Sequence, residues 1–251
     1  MLDLTTNVGY IRQIPLNSLA KQRISIALTA IACSLAPRRN HDQSDCRKVR
    51  GDMTDDPCIL SIRTREELRH AVEDLTTGVI VVCGFPAVGK SSGVRMLAAD
   101  RDALVLDKDS FAPALEEAVM TELTGNPFDR DSAIYRRVVG PHIYDALVRN
   151  ALAIGRHQIV VVDAPFIEYV MRARSESCSL AGYLCAKVDH PVSVRTVWMS
   201  ASPEVIHTRI VRRGAERDRP KLADWAVYRS AVLDSGVDLA AQEVVDAVVV
   251  N

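Results

Sequence analysis

The run Gly84-Phe85-Pro86-Ala87-Val88-Gly89-Lys90-Ser91 sets two glycines, a lysine and a hydroxyl at the spacing GxxxxGK[ST], with Ser92 following. Such a run can wrap an anion. The glycines admit backbone angles that let consecutive N–H groups converge, and a helix start behind them adds partial positive charge. Lys90 would reach the β- and γ-phosphates of a nucleoside triphosphate, and the Ser91 hydroxyl would ligate Mg²⁺. The loop lies between the apolar run Val79–Cys83 and a helical stretch, the flanks this chemistry requires. Residues 84–92 therefore imply ATP and Mg²⁺ as ligands.

Two further runs end in acids. Ala103–Leu106 leads into Asp107-Lys108-Asp109-Ser110-Phe111, and Ile159–Val162 leads into Asp163. In a parallel sheet the C-terminal strand ends converge on the ligand crevice. One of the first pair, Asp107 or Asp109, can face an acceptor hydroxyl; the plainer reading makes both helix caps. Asp163 after four apolar residues fits a carboxylate that holds Mg²⁺ directly or through water. The stretch His207–Asp218 carries four arginines: Arg209, Arg213 and Arg217 recur every fourth residue, and Arg212 lies beside them. Gly214 marks a helix end or hinge there, as expected of a closing segment that brings arginine to a transferring phosphoryl group.

These residues need a scaffold, and the apolar pattern supplies one. Short continuous apolar runs at 79–82, 103–106, 159–162, 194–199 and 247–250 read as parallel strands buried on both faces. Between them lie helical stretches at 93–99, 111–123, 132–153, 203–213 and 222–233, with another capped by Thr64 and running to Ala71. The alternation predicts an α/β fold: a three-layer P-loop NTPase domain with a mainly parallel five-stranded sheet and a helical lid. The two acid-ended strands are expected to flank the P-loop strand.

Composition bounds the alternatives. The chain has 251 residues, 48% of them hydrophobic and 25% charged, which excludes a disordered or fibrous chain. A formal net charge of −1 removes a bulk electrostatic case for nucleic acid. The charge is uneven: residues 1–52 carry a net +4 and the remainder −5. Residues 24–36 form an apolar run of thirteen, shorter than the roughly 20 a membrane-spanning helix needs, and it resembles a signal-peptide core. Residues 38–57 read as polar linker, so residues 1–57 are expected to be a poorly structured extension of a kinase-type domain at 58–251, with Met53 a second candidate start. The six cysteines include no CxxC pair and read as free thiols of a reducing, cytoplasmic compartment. Cys178, Cys185 and His190 match no common zinc spacing.

Taken together, GFPAVGKSS at 84–92, DKDSF at 107–111, VVVDAPF at 160–166 and RRGAERD at 212–218 resemble the small P-loop kinases of the zeta-toxin, polynucleotide-kinase and chloramphenicol-phosphotransferase-like group. The resemblance covers about residues 78–235. It implies that Asp109 is the base on the acceptor hydroxyl and that Arg213 and Arg217 are lid arginines on the phosphates. Polynucleotide kinases carry an arginine shortly after the base, whereas Ala112 and Pro113 stand here, which argues against a nucleic-acid end as acceptor.

The segment between the second and third strands is where such kinases place acceptor-binding helices, and Arg130, Tyr135, Arg136, His142 and Tyr144 are its candidate contacts beside Asp107. None of them identifies the acceptor. A nucleoside, a sugar, an antibiotic-like alcohol and a nucleotide sugar all suit a kinase reading. A P-loop ATPase acting as a switch is the alternative class, though no NKxD-type guanine motif is present.

Overall fold

A computed structural model describes residues 60–130 and 132–251. The expected extension at 1–57, with Cys33, Cys46 and Cys58, lies outside them.

Helix α1 (Ile62–His70) leads into β1 (Gly78–Gly84), and α2 (Lys90–Arg101) follows the glycine-rich loop. Next come β2 (Leu104–Asp107), the short α3 (Lys108–Phe111) and α4 (Pro113–Thr124). A π-helical turn at Tyr135–Val139 opens α5 (Gly140–Gly155), which returns to β3 (Ile159–Asp163). Helices α6 (Ile167–Ser175) and α7 (Leu180–Cys185) precede β4 (Val194–Ser200) and α8 (Pro203–Arg213). A 3-10 turn at Glu216–Asp218 and short helices α9 (Arg219–Ala223) and α10 (Trp225–Tyr228) run into a second π-helical turn, Arg229–Leu233. Helix α11 (Val237–Val244) and β5 (Ala247–Val250) complete the order.

The five strands form one all-parallel sheet in the order β2-β3-β1-β4-β5. Every residue of the central β1 is buried, so helices cover both faces and the domain has the expected three layers. Trp198, Phe85, Ile80 and Leu97 are among the largest fully buried side chains of its core. Among the described residues no helix is long and apolar enough to cross a membrane.

The order corrects one expectation. Only β3, ending in Asp163, flanks β1 on that side; β2 lies beyond it at the sheet edge. An edge strand lacks cover, and Leu104 and Val105 are each 39% exposed rather than buried on both faces. The register nevertheless brings the two acid ends level, with Asp107 opposite Asp163.

Helix boundaries follow local chemistry. Ser61, not Thr64, caps α1: its hydroxyl accepts the Thr64 N–H at 3.0 Å, while the buried Thr64 hydroxyl donates to the Val250 carbonyl at 3.2 Å. The helix expected over 111–123 breaks at Ala112, because Pro113 drives the residue before it out of the helical region. The stretch 222–233 breaks at Asp224, whose carboxylate accepts the Val227 N–H at 3.1 Å and caps α10. Helix α8 runs as predicted, from the Ser202 cap through Pro203 to Gly214 at φ +58°.

Candidate functional site

The loop between β1 and α2 is shaped from behind. A Cβ at Gly84 (φ +136°) would stand 2.2 Å from the Met199 carbonyl oxygen, and one at Gly89 (φ +107°) 2.5 Å from the Asn251 amide. The fixed backbone carbonyl leaves no room for a side chain at Gly84, and both angles belong to glycine. Ala87 also sits at φ +63°. The Val88 carbonyl accepts from Asn251 Nδ2 at 2.8 Å and from Arg209 at 3.1 Å, and the Ala87 carbonyl accepts from Arg209 at 3.3 Å. Because the peptide unit is planar and trans, these carbonyls send the N–H groups of Val88 and Gly89 the opposite way. That disposition suits an anion.

Lys90 and Ser91 begin α2. The Lys90 ammonium, buried, donates to the Phe85 carbonyl at 2.8 Å. Burial lowers its pKa, opposed by Asp163, Cys83 and Asp109. Asp163 is 7% exposed, and burial raises its pKa, with Asp107 and Asp109 adding to the shift against Lys90 and a hydrogen bond from Ser91. The Ser91 hydroxyl and the Asp163 carboxylate thus form a linked pair of hard oxygen donors. Such a pair suits Mg²⁺, which takes few protein ligands and completes its shell with phosphate and water. Cys178, Cys185 and His190 form no metal cluster among the described residues.

Lys90, Ser91 and Asp163 line a cavity of about 820 Å³, together with Asp107, Lys108, Asp109, Phe128, Arg130, Tyr135 and Tyr144. Asp107, at the end of β2, and Asp109, in α3, differ sharply in their surroundings. Both Asp107 oxygens serve α3: one accepts the Asp109 N–H at 3.1 Å, the other the Ser110 hydroxyl at 2.6 Å. Asp107 is therefore a helix cap as well as a cavity residue. Asp109 receives the Arg130 guanidinium at 3.3 Å and the Lys108 ammonium at 3.6 Å, both on Oδ1.

Helix α8 supplies Arg209, Arg212 and Arg213 to the cavity lining, with Asp218 and Lys221 beyond the helix end. Arg213 grips the Asp218 carboxylate at 2.8 and 2.6 Å, and Asp218 is 1% exposed. Since α8 stops at Gly214, Arg217 belongs to the separate 3-10 turn rather than to the face shared by Arg209 and Arg213.

The cavity gathers Asp107, Arg130, Tyr135 and Tyr144 from the predicted acceptor contacts. Arg136 and His142 are exposed and are not among its lining residues, because the helical turn carrying Tyr135 inward carries them outward. Several residues of the site carried too little sequence signal to be found. Glu116 reads as an ordinary acid in a helix first turn, Asn251 as a polar residue after a strand, and Phe128 as a loop aromatic. Asp218, inside the arginine-rich motif, and Lys108, between two acids, were visible but had no assigned partner.

A family model described as an AAA domain matches residues 79–232, more than half of the chain. This is the span over which the four motifs are spread, and the resemblance drawn from them holds at that level. No curated protein matches. Among solved structures, shikimate kinase from Bacteroides thetaiotaomicron is 12% identical with a TM-score of 0.37, over 68% of this chain and 85% of that one. The PezAT chromosomal toxin–antitoxin system of Streptococcus pneumoniae is 16% identical with a TM-score of 0.41, over 71% of each chain. TT1252 from Thermus thermophilus is 18% identical with a TM-score of 0.39, over 70% and 89%.

Proposed function

The chain belongs to the AAA domain family, and from that premise we propose that it is a kinase that transfers the γ-phosphate of ATP to a hydroxyl of a small molecule. The observation that carries this reading is the shared cavity: Lys90 and Ser91 at the phosphate cradle line the same space as Asp109, Phe128, Tyr135 and Tyr144. A site for hydrolysis alone has no need of that aromatic lining.

In the proposed reaction the acceptor oxygen bonds to the γ-phosphorus while the bond to the bridging oxygen breaks, and ADP leaves with that electron pair. The hydroxyl proton passes to Asp109, which contributes as a positioned base. Lys90 balances charge beside the β- and γ-phosphates, and Arg213 and Arg217 meet the charge that grows on the transferring group. Mg²⁺, held by Ser91 and Asp163, would neutralise phosphate charge. The acceptor is a nucleoside, a sugar, an antibiotic-like alcohol or a nucleotide sugar, free in a cytoplasmic setting.

The test is product analysis with γ-labelled ATP and a panel of these alcohols. A labelled small molecule, absent with Lys90→Ala, supports the kinase. Inorganic phosphate alone across the panel would overturn it in favour of a P-loop ATPase acting as a switch.

A further inference from the structure

Phe166 takes a left-handed backbone, φ +53° and ψ +20°, where it opens α6. For a bulky side chain this region is strained, and such strain persists only where the surroundings over-determine it. Here they do so through the ring. Phe166 is 1% exposed, and its ring meets the Tyr144 ring edge-on at 5.3 Å and the Tyr169 ring edge-on at 5.4 Å. Those two tyrosines stack on each other at 5.6 Å. Of the three, Tyr144 is the one that lines the cavity.

The strained residue sits where the site is assembled. It follows Asp163, Ala164 and Pro165, all of which line the cavity. The Pro165 carbonyl accepts the Gly84 N–H at 3.3 Å, so the chain leaving β3 is tied to the first residue of the phosphate loop. That carbonyl belongs to the planar unit joining Pro165 to Phe166, and φ of Phe166 sets how the unit is turned against the helix behind it. The Phe166 carbonyl in turn accepts the Val170 N–H at 2.9 Å. Val170 and Ala173 bury α6 in the core. If Phe166 relaxed to a negative φ, the Pro165 carbonyl is therefore the part that would turn, away from Gly84.

We infer that Tyr144 is a positioning residue for the nucleotide cradle: its ring, seated against Phe166, keeps the Pro165 carbonyl on the Gly84 N–H. The inference rests on the reading of residues 84–92 as the nucleotide site and holds whichever alcohol is the acceptor. Tyr144 then acts through Phe166 and Pro165, apart from any contact with the acceptor.

The experiment titrates a fluorescent ATP analogue into the full chain and into Tyr144→Leu, Tyr144→Phe and Tyr183→Leu. Melting temperature and hydrogen exchange of the peptide containing Gly84 are read beside it. Tyr183 meets Tyr169 edge-on at 5.6 Å and is not among the cavity-lining residues, so its loss weakens the same aromatic cluster away from Phe166. Tyr144→Leu should weaken nucleotide binding about tenfold and speed exchange at Gly84, whereas Tyr144→Phe, which keeps the ring, should stay within about threefold. Tyr183→Leu should lower the melting temperature and leave nucleotide affinity unchanged. Unchanged affinity in Tyr144→Leu would overturn the inference and leave Tyr144 a candidate acceptor contact only. Equal losses in Tyr144→Leu and Tyr183→Leu, the mark of general destabilisation, would also overturn it, as would a Tyr144→Phe loss as large as that of leucine. Should Tyr144→Leu fail to fold, Tyr144→Met is measured in its place. Wild-type protein that binds no nucleotide is a separate result: it removes the cradle reading, and the inference with it.

Discussion

Asn251 donates its side-chain amide to the Val88 carbonyl across 2.8 Å, joining the strand-end residue to the phosphate loop over a separation of 163 positions. Arg209 meets the same carbonyl and also reaches the Asn251 backbone oxygen at 3.5 Å. Removing the amide with Asn251→Ala leaves the carbonyl with Arg209 alone. The expected cost is about 1 kcal/mol of stability and, where the loop loosens, about fivefold in ATP affinity. Thermal unfolding and fluorescent-nucleotide titration check this; unchanged nucleotide affinity would restrict Asn251 to a role in stability.

Asp107 and Asp109 separate by function. Asp107→Asn keeps an oxygen to cap α3 and should cost little turnover, since asparagine caps nearly as well as aspartate. Asp109→Asn keeps shape but loses the base, and should cut phosphotransfer about 10²–10⁴-fold while ATP still binds. Comparing turnover and nucleotide affinity in the two variants decides it. A crippled Asp107→Asn beside a mild Asp109→Asn would reverse the roles.

Replacing Arg213 and Arg217 with alanine should depress turnover far more than ATP affinity. Arginine counts most as the phosphoryl group loosens, where it can be worth about 10³-fold or more. Arg213 lines the cavity, held by the buried Asp218. Parallel measurement of turnover and nucleotide dissociation tests the split; matched losses would make the arginines ground-state phosphate ligands.

Cys83 lies on β1 behind Lys90, and burial pushes its thiol from 9.0 up to about 12, against the opposing charge of Lys90. Its S–H donates to the Val197 carbonyl at 3.3 Å. The folded state therefore favours the neutral thiol. The stability this contributes is complete below the ordinary thiol range and is lost as pH rises from 9.0 toward about 12. Iodoacetamide at mildly alkaline pH, followed by peptide mass mapping, should label the half-buried Cys178 and Cys185 while Cys83 stays unmodified. Rapid labelling of Cys83 in folded protein would contradict its burial.

Much of this architecture was legible in the sequence because the forces responsible are local. Continuous valine and isoleucine runs mark strands that sit within a residue or two of where periodicity put them. The β5 strand at 247–250 and helix α8 at 203–213 coincide with the reading, the latter because a serine cap, a proline and a left-handed glycine enforce both of its ends. The phosphate loop was equally plain, since its glycines, lysine and serine are consecutive. Strand order was not, because each strand presents similar apolar faces and only the crossovers place β3 between β1 and β2. Nor were the charge partners. Glu116 with Lys108 and Arg130, Asp218 with Arg213, and Asn251 with Val88 are pairings that most charged or amide residues of the chain could have made in principle. Burial selected them: where chain segments close around a polar group and exclude water, the group must find its counterpart within about 3 Å, and which counterpart stands there is a property of the tertiary structure alone.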